Sequence, residues 1–226
     1  PWMHPFGCEV GFPDPVKRLG TLMLPGLRTA SEGPADRARF GLPRDAVLVA
    51  AFNNSYKYDA RLLDAWLQAA DRAPRAVFVL STPQEAQARL RAFWTSRGGR
   101  PGQLRFVPRL PPAQHAARLA SCDFFADAFR YQGGASGVAA VSAGLPIVAL
   151  AGVTPLSRMG AGLASFLGLE DTVCADVPAY IDTIVTLVEE EGMRRRLKAA
   201  LVRGVEETDF FNPRRVAAAL EHLYEQ

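Results

Sequence analysis

The chain has 226 residues, of which 49% are hydrophobic and 22% charged, and it carries a formal net charge of +3 at pH 7. That length buries a sizeable core, as one large domain or as one domain with an appendage. With so small a positive excess, and no arginine-rich stripe interleaved with aromatics, a pI near 9.0 does not point to nucleic acid as a partner.

Three cysteines, Cys8, Cys122 and Cys174, are odd in number and widely spaced. They make neither a metal-ligand pattern nor a disulfide framework, which fits a reducing, cytoplasmic setting. The first residues carry Pro, Trp and His where a signal peptide would have a basic start and an apolar core. Residues 137–153 form the longest low-polarity run, but Ser142, Gly144 and Pro146 interrupt it. The run is also short of the roughly 18–20 apolar residues of a spanning helix, so no membrane insertion is expected. The chain begins at Pro1 and reads as a piece of something longer.

In chain order, residues 1–42 stand apart. Six prolines fall between Pro1 and Pro34, and the apolar spacing is irregular. This segment reads as a Pro-rich arm or linker ending in a short helix around 34–40, with the remaining domain running over 43–226. From Ala46 an alternation sets in. Strands are predicted at 46–52, 76–81, 103–108, 123–128 and 146–151, separated by helices at 59–70, 83–96, 112–121 and 135–143. Helices near 155–167, 178–190, 192–204 and 213–224 complete the chain. Arg194, Arg195 and Arg196 fall in the third of these, on a face read as solvated surface. Five short, continuously apolar strands alternating with helices predict an α/β fold: a doubly wound parallel sheet with C-terminal helices.

In such sheets ligands bind beyond the carboxyl ends of the strands. The first strand ends in "FNNSYKYD", which places Asn53, Asn54 and Lys57 there. The third leads to His115 and Arg118 at the start of a helix, and the fourth to Gln132, Gly133, Gly134 and Ser136. Each group has a plain structural reading as well: a capping turn for the asparagines, close packing for the glycines, a solvated ring for the histidine. Together they place a lysine, an arginine, a histidine and a glycine-rich helix start on one rim. A helix N-terminus offers unpaired N–H groups and about half a positive charge, which suits a phosphate. The glycine segment follows the fourth strand and lacks a Gly-Lys-Ser/Thr end, so it is neither a dinucleotide fingerprint nor a phosphate loop of the NTPase kind. A nucleoside diphosphate at this late loop fits one half of a two-domain sugar transferase.

At these residues the chain resembles a known family. The stretch "ARFGLPRDAVLVAAFNNSYKYDARLLDAWLQAADRAPRAVFVL", with its "GLPRDA" turn and "FNNSYK" element, and the ending "FNPRRVAAALEHLYEQ" look like the C-terminal lobe of the O-GlcNAc transferase family. Bacterial cytoplasmic protein N-glucosyltransferases are related to that family. The similarity covers roughly residues 36–226. It implies a GT-B architecture of two Rossmann-like lobes, a UDP-sugar bound between them without a metal or other cofactor, and a protein or peptide acceptor. Carried over by position, Lys57 would stabilise the departing diphosphate, and Asn54 would face the nucleotide. His115 would lie against the uracil with Arg118 nearby, and the 131–137 loop with Ser136 would contact phosphate.

The sequence also departs from the family. "GGAS" stands where the family commonly has His-Thr-Thr or Asn-Thr-Asn. Ala139 or Ala140 occupies the position of a ribose-binding Asp, and Pro112 that of a lysine. The family's proposed general base lies in an N-terminal lobe outside these residues. A hexosyl or N-acetylhexosaminyl transferase is therefore expected to need a second lobe or partner chain, and a non-catalytic nucleotide-sugar or assembly module is the alternative.

Overall fold

The computed structural model describes residues 13–22 and 28–225. Its centre is a six-stranded, all-parallel sheet: β1 (Val47–Ala50), β2 (Ala76–Leu80), β3 (Leu104–Phe106), β4 (Phe124–Ala126), β5 (Ile147–Leu150) and β6 (Val173–Cys174). Every residue of β1, β2, β4 and β5 is buried. That is why the sequence shows unbroken apolar runs where a half-exposed strand would alternate. The sixth strand was not predicted. Two residues paired with Ala149 and Leu150 of β5 are too few to leave a periodic signal.

The spatial order is β3-β2-β1-β4-β5-β6. The chain builds outward from β1 to β3, then returns across the sheet to place β4 against the other side of β1. Right-handed crossovers put α1 (Ala60–Arg72) and α4 (Ala135–Ser142) on opposite faces. α2 (Gln84–Ser96) joins β2 to β3, and α3 (Pro112–Ala120) joins β3 to β4 and packs on α4. α5 (Met159–Phe166) follows β5, and α6 (Val177–Glu189) packs on α1. α7 (Glu191–Thr208) and α8 (Pro213–Tyr224) complete the chain.

Local chemistry starts these helices where they start. Asp59 accepts from the Leu62 N–H and opens α1, Asp176 accepts from Ala179 ahead of α6, and Asn212 accepts from Arg214 ahead of α8. Prolines sit in the first turns of α3, α6 and α8, where a missing N–H costs nothing. On the inner face of α1, Trp66 stacks on Phe78 of β2, with ring centroids 5.0 Å apart, and Trp94 of α2 meets the same ring edge-on at 6.1 Å.

Of the arm, residues 1–12 and 23–27 lie outside the described residues. Thr21 and Leu22 are buried, the Thr29 N–H donates to Ser142 Oγ at 3.0 Å, and the Glu32 N–H donates to the Ala113 carbonyl at 3.1 Å. The predicted 34–40 helix is a single 3-10 turn, Ala38–Phe40. Arg37, just before it, is spent on other contacts. Its guanidinium reaches the carbonyls of Ser121, Arg44 and Ala46 and pairs with Asp123 at 2.8 Å, fastening this segment to the amino ends of β1 and β4.

α7 lies hard against the end of α5. A methyl group on Gly204 would sit 2.0 Å from the Leu167 carbonyl oxygen, and a backbone atom cannot rotate away. Alanine normally gains about 1 kcal/mol over glycine in a helix interior, but Gly204→Ala is expected to lose about 1–3 kcal/mol through overpacking. Urea unfolding of the two proteins checks this.

Candidate functional site

The strand order reverses between β1 and β4, so the loops leaving their carboxyl ends diverge and leave a crevice. The loop after β1 contributes Asn53, Asn54 and Lys57, with a 3-10 turn at Ser55–Lys57. The loop after β4 contributes Asp127 through Gly134 and runs into α4. Gly134 is the first residue of that helix's cap, and no side chain caps it. A side chain at Gly133 would crowd the turn, because a Cβ there would lie 2.9 Å from Ser136 Oγ and 3.1 Å from both Asn53 Oδ1 and the Gly137 nitrogen.

Between the two loops stands a residue that sequence reasoning missed. Asp127 is 0% exposed. Its Oδ1 accepts from Asn53 Nδ2, the Ala128 N–H and the Gly133 N–H, all at 2.8 Å, and Oδ2 lies 3.0 Å from the same Gly133 nitrogen. Burial pushes this carboxyl up to about 6, against the opposing pull of Asn53, Gly133, Ala128 and the nearby Lys57 charge. The available signal was an acid at the carboxyl end of the otherwise apolar run Phe124-Phe125-Ala126.

Lys57 is half-buried. Its Nζ donates to the Gln132 carbonyl at 3.1 Å and lies 3.7 Å from the centroid of the Tyr131 ring, a cation–π contact at the mouth of the crevice. Tyr56, 71% exposed, stands beside Tyr131 with centroids 6.3 Å apart.

A second group of predicted residues forms a cleft of about 270 Å³ beyond the ends of β1, β2 and β3. Phe52, Asn54, Arg109, His115 and Arg118 are among its walls. Arg118 is 2% exposed, donates to the Pro108 carbonyl at 2.6 Å and sits over the Phe52 ring at 4.8 Å. Its Nη2 also lies 2.9 Å from His115 Nδ1. A guanidinium has only donors, so Nδ1 is the acceptor, and the neutral ring carries its proton on Nε2. Burial, then the charges of Arg118 and Arg109, lower His115 to about 4. The ring is therefore neutral at physiological pH and meets Phe52 edge-on at 4.8 Å. A larger cleft of about 450 Å³ lies between α1 and α2. Its walls are mostly apolar, and the converging polar groups are elsewhere.

The structure thus sorts the predicted residues. Lys57, Gly134 and Ser136 border the crevice, while Asn54, His115 and Arg118 border the adjoining cleft. Two side chains placed at the ligand by sequence turn inward instead. Asn53 is 1% exposed and is held by Asp127 and by Ser136 Oγ, which donates to its Oδ1 at 3.2 Å. Gln132 is 0% exposed: its Nε2 donates to the Leu150 carbonyl, and its Oε1 accepts from the Gly160 and Ala161 N–H groups at 2.9 and 3.1 Å. These side chains hold loops together, and Gln132 presents only its carbonyl to the crevice. Among the described residues no cluster of three or more His, Cys, Asp or Glu could hold a metal ion, and no helix is long and apolar enough to cross a membrane.

The family profile of glycosyl transferase family 41 matches residues 33–220. The chain belongs to glycosyl transferase family 41. It is 23% identical over 191 residues to the Caenorhabditis elegans UDP-N-acetylglucosamine–peptide N-acetylglucosaminyltransferase, covering 84% of this chain and 17% of that protein. A 134-residue segment is 29% identical to the Arabidopsis thaliana protein named "Probable UDP-N-acetylglucosamine--peptide N-acetylglucosaminyltransferase SEC", covering 59% of this chain and 13% of that one. A mutant Thermobaculum terrenum O-GlcNAc transferase superposes with a TM-score of 0.86 at 22% identity, over 99% of this chain and 43% of its own. Anabaena Alr3699/HepE in complex with UDP and glucose matches with a TM-score of 0.56 at 19% identity, over 84% of this chain and 50% of its own. The family 41 chain therefore has the fold of one Rossmann-like lobe of a GT-B glycosyltransferase, and it spans under a fifth of those two relatives and under half of the Thermobaculum chain.

The neutral His115 carries a pH signature. Its folded pKa lies below the ordinary value, so the unfolded chain takes up a proton first as the pH falls. The associated stability is complete above about pH 6.5 and is lost toward about pH 4. His115→Gln is expected to flatten that acid-side decline, read as the difference in urea stability between about pH 7 and about pH 4.5 in the two proteins.

Proposed function

We propose that this family 41 chain is the donor-binding lobe of a UDP-sugar-dependent glycosyltransferase that transfers a hexose or N-acetylhexosamine to a protein or peptide acceptor. The observation that carries the proposal is the meeting, at the reversal of strand order, of an uncapped helix N-terminus with a lysine from the opposite loop. An anion placed there is met by the helix's first-turn N–H groups and by the Lys57 ammonium, which lies over the Tyr131 ring. The neighbouring cleft, with a neutral imidazole, Phe52 and a buried guanidinium, suits a planar, hydrogen-bonding base. The Anabaena neighbour, a complex with UDP and glucose, has the same fold.

In this reading the acceptor displaces UDP from the anomeric carbon. Negative charge grows on the departing diphosphate, and Lys57 with the α4 N-terminus offsets it, stabilising the transition state more than the bound donor. No metal is assigned to this task. The group that deprotonates the acceptor comes from a second Rossmann-like lobe or a partner chain. The first turn of α4 carries no acidic residue and opens with Ala135 and Ser136. That composition favours a second reading, a nucleotide-sugar-binding module retained for assembly.

Calorimetric titration with UDP, with and without magnesium, tests the proposal. Binding in the micromolar to low-millimolar range is expected, indifferent to magnesium. Lys57→Ala should weaken it by about 1.5–3 kcal/mol, roughly 10–150-fold. Absence of UDP binding by the wild-type chain, with stable assembly onto a partner, would favour the second reading.

A further inference from the structure

The hydrogen bonds that cross the crevice floor form one connected series. Ser136 Oγ, in the first turn of α4, donates to Asn53 Oδ1, and Asn53 Nδ2 donates to Asp127 Oδ1. Asp127 in turn accepts the Gly133 N–H immediately before the α4 cap. The series begins and ends on the segment that leads into α4, and Asn53 of the β1 loop is its middle member. Four residues further along that loop, Lys57 reaches back to the Gln132 carbonyl.

Resting on the donor-lobe reading, we propose that Asp127 is a positioning residue for nucleotide binding. Through Asn53 and the Gly133 N–H it sets the spacing between the β1 loop and the α4 N-terminus, so that Lys57 and the free first-turn N–H groups converge on one diphosphate. Asp127 touches no ligand itself. It is sealed beneath the crevice, with the main-chain N–H of Gly133 above it and with Tyr180 Oη donating to its own carbonyl at 3.0 Å from the other side. The nucleobase cleft is built from a different set of contacts, among Arg118, His115, Phe52 and the Pro108 carbonyl, and shares no member with this series.

That separation supplies the test. A residue that spaces the diphosphate cradle acts on ligands with phosphates and spares the nucleoside. A residue that merely holds the fold together affects both or neither. UDP and uridine are titrated against the wild type, Asn53→Ala, Asp127→Ala and Asp127→Asn, with urea unfolding of each. Asn53→Ala cuts only the link between the loops, leaves Asp127 bonded to Ala128 and Gly133, and keeps the test available if Asp127→Ala does not fold. It is expected to weaken UDP about tenfold or more while uridine changes by less than about twofold. Asp127→Asn keeps an oxygen toward Asn53, Ala128 and Gly133, so it should recover most of what Asp127→Ala loses. Unchanged UDP affinity in Asn53→Ala, or equal losses for UDP and uridine, overturns the positioning role while leaving the donor-lobe reading intact. A wild-type chain that binds no UDP overturns both.

Discussion

A fully enclosed carboxylate at the place where a parallel sheet reverses its strand order is the constraint from which the rest of this molecule is best understood. Removing such a group from water is costly unless donors surround it. Asp127 meets the requirement with N–H groups from Asn53, Ala128 and Gly133, drawn from both loops that border the reversal. Its own carbonyl accepts from Tyr180 Oη of α6, and Tyr180 Oη lies 3.1 Å from Trp66 Nε1 of α1. Trp66 then stacks on Phe78 of β2. The polar node of the site is thus wired into the aromatic packing of one face of the sheet, and the placement of α1 and α6 bears directly on the shape of the crevice.

Around that node the two halves of the site use opposite physics. The cleft beyond β1, β2 and β3 sets Phe52 and two arginines around its one titratable ring, which burial and those charges keep neutral. The crevice between β1 and β4 relies on backbone dipoles and a single ammonium. Lys57 is not left to water alone. It rests on the Gln132 carbonyl and on the face of the Tyr131 ring.

The fold was legible because its strands are buried on both faces: the apolar runs of β1, β2, β4 and β5 carry that fact locally. β6, at two residues, and the single 3-10 turn at Ala38–Phe40 were below what periodicity resolves. At the site, position was legible and direction was not. Asn53 and Gln132 were placed at the correct strand ends, but both side chains turn inward, because the chain needs their hydrogen bonds to close its loops. Asp127 was overlooked for a related reason. Its bond to Asn53 spans 74 positions, and an acid after Phe-Phe-Ala looks like the ordinary end of a strand. The strand-end rule put Lys57, His115 and Arg118 on one rim, and the structure divides them between two compartments.

The brevity of the outermost strands has a consequence of its own. β3 offers three residues along one border of the sheet and β6 two along the other. An incoming strand would find too little free backbone on either side to form a lasting ladder. The lobe is thereby guarded against edge-to-edge aggregation, and against recruiting neighbours by sheet extension. Whatever joins it in a larger assembly would dock on helices and loops, leaving the six strands a closed set.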